Sequence, residues 1–143
     1  MKKKGGENLK DKLVLDTGVL FLYFAGDQEA ARIIDSGRRV GGLFTCEVVM
    51  AEFYYKTCEK FGRDVAELRS ISIRKSGIVV EPIEEKLTNI AATFRCTNRA
   101  KLSLADSYVI ALCKLNGAQL ITTDSLLKEL NPNQTTLLKV PRK

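Results

Sequence analysis

The chain has 143 residues, of which 45% are hydrophobic and 28% charged, with a net charge of +6 and no histidine. That length suits one domain with a real core, and no apolar run approaches the ~20 residues that span a bilayer. The lack of histidine excludes Ser-His-Asp, Cys-His and paired-histidine chemistry at the outset.

Lys2, Lys3 and Lys4 are followed by Gly5, Gly6 and Glu7 where a secretory signal needs an apolar stretch, so neither export nor a membrane is expected, and the cytoplasm is the expected compartment. Lys12-Leu13-Val14-Leu15-Asp16 is an apolar run ending in an acid, which suits a buried parallel strand. Residues 19–24 and 28–36 have helical composition, and Gly37, Gly41 and Gly42 break the chain before Leu43-Phe44. Residues 46–61 predict one long helix stopped by Gly62, and 64–75 a further helix. Residues 78–81 read as a second core strand, which Pro82 ends. Helices follow over 84–99 and 103–116, then a strand over 120–123 that runs into Asp124, a short helix, and a last strand near Leu137-Leu138. Strands alternating with helices predict a three-layer α/β/α sandwich around a central, mostly parallel sheet, with residues 1–143 as a single domain. Ligands of such sheets bind beyond the carboxyl ends of the strands, where Asp16 and Asp124 fall.

The positive charge is unevenly spread. Residues 1–12 hold five lysines against two acids, and 139–143 hold Lys139, Arg142 and Lys143, so the body between these basic termini is neutral. Within it, residues 56–101 carry ten basic and six acidic side chains, and the remainder five basic and nine acidic. Charge alone therefore fits a solvated face and basic tails as well as it fits RNA. Cys46, Cys58, Cys96 and Cys113 show no C-x-x-C pair and sit in helix-like apolar runs, so they are expected as small buried hydrophobes in a reducing compartment, not as disulfides or zinc ligands.

Chemistry is sought among the acids. Glu52 stands between Val48-Val49-Met50-Ala51 and Phe53-Tyr54-Tyr55, so it is expected to be enclosed or to line a cleft, and an enclosed charge needs a cation or an ion-pair partner. Asp106 follows Ser103 at the start of an apolar helix, where a capping box is the competing explanation. Asp16 and Asp124 each end a strand and precede a helix, so either alone reads as an N-cap. As a set, these four can converge at one sheet edge. An all-oxygen donor set suits Mg²⁺ or Mn²⁺ and disfavours zinc. No phosphate-binding glycine loop occurs, and the D-x-D start of a phosphotransferase is missing, which leaves metal-assisted phosphodiester hydrolysis as the natural route.

The stretches Leu-Asp-Thr-Gly-Val-Leu (15–20), Val-Val-Met-Ala-Glu-Phe-Tyr-Tyr (48–55), Leu-Ser-Leu-Ala-Asp-Ser-Tyr-Val-Ile-Ala-Leu (102–112) and Leu-Ile-Thr-Thr-Asp (120–124) together resemble the PIN domain, most of all its VapC-type toxin branch, over about residues 12–130. The resemblance implies an endoribonuclease that needs Mg²⁺ or Mn²⁺, with Asp16, Glu52, Asp106 and Asp124 as catalytic metal ligands and Thr122 as a supporting hydroxyl. It also implies an RNA substrate, a homodimer and a cognate antitoxin. Other branches process ribosomal RNA precursors, and a non-catalytic RNA- or protein-binding domain on the same fold is a further alternative. Beside the third motif, Arg95, Arg99 and Lys101 form a basic stretch suited to RNA phosphates, with a solvated helix end as the plainer explanation. Tyr23, Tyr54, Tyr55 and Tyr108 are candidates for base stacking or, more simply, for core packing.

Overall fold

The computed structural model describes residues 12–98 and 102–141. Its strands are β1 (Leu13–Leu15), β2 (Leu43–Cys46), β3 (Val79–Glu81), β4 (Gln119–Thr122) and β5 (Thr135–Leu137). They form one sheet in the order β3-β2-β1-β4-β5, and every pairing is parallel. Seven α-helices flank it among the described residues: α1 (Thr17–Phe24), α2 (Gln28–Arg39), α3 (Glu47–Phe61), α4 (Arg63–Arg74), α5 (Glu85–Thr97), α6 (Leu104–Asn116) and α7 (Ser125–Leu130). This is the expected α/β/α sandwich, with a sheet that is wholly parallel.

The central strand explains the position of the site. β1 pairs with β2 on one side and β4 on the other, and Val14 and Leu15 have no exposed surface, which is why β1 is apolar at every position. From β1 the chain steps outward through β2 to β3, then returns over α5 and α6 to lay β4 against the other side of β1. The connections that leave β1 and β4 therefore diverge, and a crevice opens between their carboxyl ends at the topological switch point.

Packing then fixes the helices around that crevice. Phe53 of α3 is fully buried, with its ring 5.1 Å from Phe21 and 5.7 Å from Phe24 of α1. These contacts hold α3 beside α1 and position residue 52 next to the end of β1. On the far side of α3, Arg74 donates two hydrogen bonds to Glu47, at 2.8 and 2.7 Å, which ties α4 to α3. Gly37 lies inside α2 instead of breaking it. A Cβ there would be driven into the buried Leu43 side chain, so glycine lets α2 lie close against β2.

Three further expectations are corrected. Cys46 is the last residue of β2 and the N-cap of α3, because pairing with β3 extends the strand through residues that are equally compatible with a helix. β3 is an edge strand with Val79 41% exposed, so it is not a core strand. Of the cysteines, all free thiols, Cys46 and Cys113 are buried as expected, Cys58 is half-buried and Cys96 is exposed.

Candidate metal centre

Asp16 follows β1 directly, and its N–H continues the ladder to the Ile121 carbonyl at 3.1 Å. Its carboxylate is held from both oxygens: Oδ1 accepts the Thr17 N–H at 2.7 Å and Oδ2 accepts the Thr122 hydroxyl at 2.6 Å. At 6% exposure it is the most enclosed of the candidate acids. Burial raises its pKa, the two hydrogen bonds oppose that, and the negative charges of Glu52 and Asp124 add to the rise.

Thr122 links the two strand ends. Fully buried, it donates to Asp16 and accepts the Asp124 N–H at 3.0 Å. Asp124 in turn accepts the Leu126 N–H at 2.9 Å and caps α7, so its local capping role is real. Between them, Thr123 lies against Gly18 of α1. A Cβ at residue 18 would collide with the Thr123 hydroxyl, so glycine permits the close approach of α1 to the β4 end.

Glu52 and Asp106 arrive on helices. Glu52 Oε1 accepts the Thr17 hydroxyl at 2.7 Å, and Oε2 pairs with Lys56 Nζ at 3.0 Å. Its side chain is 23% exposed, so it lines the crevice and is less enclosed than Asp16. The Ser103 hydroxyl accepts the Asp106 N–H at 3.1 Å, so that cap also exists. The Asp106 carboxyl is pushed up from 3.8 to about 6, chiefly by burial and then by the charge of Asp16, with Asp124 and Glu52 adding and Ser103 opposing.

The structure thus brings Asp16, Glu52, Asp106, Asp124 and Thr122 into one electrostatic neighbourhood. As the side chains stand, no three acids or thiols among the described residues converge closely enough to hold one ion. Glu52 is turned onto Lys56, and Asp124 onto its cap. The donor chemistry nevertheless fits a hard divalent cation. Mutual repulsion among the acids is what such an ion relieves. The nearby thiols are not competing ligands: burial raises Cys46 and pushes Cys113 to about 12, so both stay protonated. A cavity of about 1010 Å³ adjoins the crevice at Gly18, Thr123 and Lys56, and Lys60, Phe61 and Arg69 also line it.

Two positions that the sequence reading did not single out belong here. Thr17 fixes Glu52, and its adjacency to Asp16 was the available signal; Lys56 was legible as the i+4 partner of Glu52. Arg95 occupies the last turn of α5 and is half-buried, and Arg99 and Lys101 lie outside the described residues. Tyr108 is core, its hydroxyl 3.1 Å from that of Thr88, and Tyr54 donates to Glu67 at 2.7 Å, whereas Tyr55 is exposed.

The raised acids make stability depend on pH in a defined direction. Between about pH 4, where unfolded aspartate titrates, and about pH 6, folded Asp106 keeps a proton that the unfolded chain has lost. The metal-free protein should therefore be most stable at the acid end of that window and lose stability as pH rises through it. Glu47, lowered by its hydrogen bond to Arg74, works in the opposite sense at lower pH. Thermal melts across pH 4–7 should show a gap between Asp106→Asn and the parent that widens as pH rises. A constant gap contradicts the assignment.

Comparison with known proteins agrees with the fold. No curated protein matches the chain significantly. Among solved structures, VapC20 of Mycobacterium tuberculosis, a sarcin-ricin loop cleaving toxin, superposes with TM-score 0.69 at 19% identity, covering 90% of this chain and 98% of its own. A chain of the DNA-bound VapBC2 assembly of Rickettsia felis gives 0.70 at 13% identity, covering 90% and 98%. A toxin–antitoxin complex from Klebsiella pneumoniae gives 0.67 at 15%, covering 90% and 100%. At such identities the likeness establishes the fold. The family model of the PIN domain matches residues 13–131, most of the chain, and so the chain belongs to the PIN domain family.

Proposed function

We propose that this protein is a divalent-metal-dependent endoribonuclease, the toxin of a type II toxin–antitoxin pair, and that it acts on cellular RNA in the cytoplasm. The observation that carries the reading is the set of carboxylates at the carboxyl edge of the sheet, in which Asp106 is raised to about 6 by burial and by its acidic neighbours. Asp16, Glu52, Asp106 and Asp124 would hold Mg²⁺ or Mn²⁺, with Thr122 and Thr17 fixing the two carboxylates they touch. A divalent cation there supplies Lewis-acid polarisation of the scissile phosphate and a lowered pKa for the attacking water. Because Asp106 must lose its proton to become a ligand, metal affinity rises with pH through about 6.

Support for the toxin reading comes from the structural neighbours, one a sarcin-ricin loop cleaving toxin and others toxin–antitoxin assemblies. On this reading the protein forms a homodimer, an antitoxin protein is its partner, and Arg95, Arg99 and Lys101 contact RNA phosphates. Incubated with structured RNA, the purified protein should cut in Mn²⁺ or Mg²⁺, stop cutting on addition of EDTA, and resume when metal is restored in excess. RNA binding without cleavage under every metal condition would replace this reading with a non-catalytic RNA-binding domain.

A further inference from the structure

Glu52 and Lys56 stand one turn apart on α3, the order and spacing at which glutamate and lysine meet on a helix. Lys56 Nζ lies 3.0 Å from Glu52 Oε2, while Thr17 Oγ1 donates to Oε1 at 2.7 Å. Both oxygens of this carboxylate are thus engaged from within the chain. With its lysine exposed and its glutamate half-buried, a pair of this type contributes little to stability. What distinguishes this one is its location. The carboxylate lies in the charge field of Asp16 and Asp106, and the lysine belongs to the wall of the 1010 Å³ cavity that opens beside them.

We propose that Lys56 is the built-in counter-ion of the metal centre: its ammonium occupies Glu52 while no divalent ion is bound, and it is displaced when Glu52 turns to ligate. The proposal rests on the metal-dependent reading above. It accounts for two features together. An acid of a mutually repelling set is neutralised, and the Glu52 oxygen that Lys56 holds is engaged by a cation already present in the chain. Two cations compete for one carboxylate, so Lys56 holds metal affinity below what the acids alone would give. Once displaced, the ammonium remains on the cavity wall with Lys60 and Arg69, where anionic groups of a substrate would meet it.

Titration of Mn²⁺ into the metal-free full chain by calorimetry, without RNA, tests this. Lys56→Gln should bind Mn²⁺ about three- to tenfold tighter than the parent, the range expected from losing an exposed ion pair and one nearby positive charge. Lys56→Met should do the same, which guards against a peculiarity of the amide. Lys56→Arg keeps the charge and should bind no tighter than the parent. If Gln and Met leave the affinity unchanged or weaken it, or if Arg tightens it equally, the counter-ion role is overturned while the metal centre stands. If neither the parent nor any variant binds Mn²⁺, the metal reading falls and this proposal falls with it.

Discussion

Asp16→Asn should lower RNA cleavage at saturating Mn²⁺ by on the order of 10²-fold or more, because even disturbing the groups that merely orient a metal ligand costs about 10–100-fold. The substitution is close to isosteric, and the surroundings can absorb it. The Asn carbonyl would keep the Thr17 N–H, and its amide would face the Thr122 hydroxyl, which has a lone pair left after accepting from Asp124 N. Metal-free stability at neutral pH should not fall, since burial already disfavours the charged carboxylate that the substitution removes. Lost cleavage with an unchanged or raised Tm is the expected pair of results. Cleavage at the parent rate would remove Asp16 from the centre, and a lowered Tm would assign it a structural role.

How much of this was legible in the sequence depends on the kind of signal. The apolar run ending at Asp16 specified β1 correctly, because a strand paired on both sides and covered on both faces leaves no polar alternation. The same logic misplaced residues 78–81: a short apolar run does not distinguish a central strand from an edge, and β3 is an edge. β2 was not read as a strand at all: Leu43-Phe44 is too short an apolar run after the glycines to stand out, and its pairing with β1 and β3 is what makes 43–46 a strand.

The acids were found by residue type and position, but their ranking was not. Flanking hydrophobic residues made Glu52 look the most enclosed, yet the apolar residues around it divide between the core, where Phe53 packs, and solvent, where Ala51 and Tyr55 lie. Asp16, which read as an ordinary N-cap, is the buried one. It caps α1 and also joins the site, as Asp124 does at α7, whereas Asp106 is itself the residue capped, its N–H donated to Ser103 while its carboxyl joins the cluster. The hydrogen bond from Thr122 to Asp16 spans 106 positions of sequence, and only the fold brings those two residues together.

That hydrogen bond carries the largest expected loss of stability. Thr122→Val keeps the shape of the side chain but removes the donor to Asp16 Oδ2 and the acceptor for Asp124 N, in a position with no exposed surface. Leaving a buried carboxylate oxygen and an N–H without partners should cost about 2–4 kcal/mol, a fall in Tm of about 5–15 °C for a chain of this size. With the Thr122 hydrogen bond gone, an influence that holds the Asp16 pKa down disappears, so more Asp16 is protonated at a given pH and Mn²⁺ binds more weakly. Cleavage should drop about 10–100-fold even at temperatures where the variant is fully folded. Thr122→Ser retains the hydroxyl and should recover most of the Mn²⁺ affinity while giving back only part of the Tm, because the buried methyl is still missing. Melting curves and Mn²⁺ titrations of both variants separate these effects. If the Val variant matches the parent in Tm and in Mn²⁺ affinity, the hydroxyl neither supports the fold nor tunes the acid beside it.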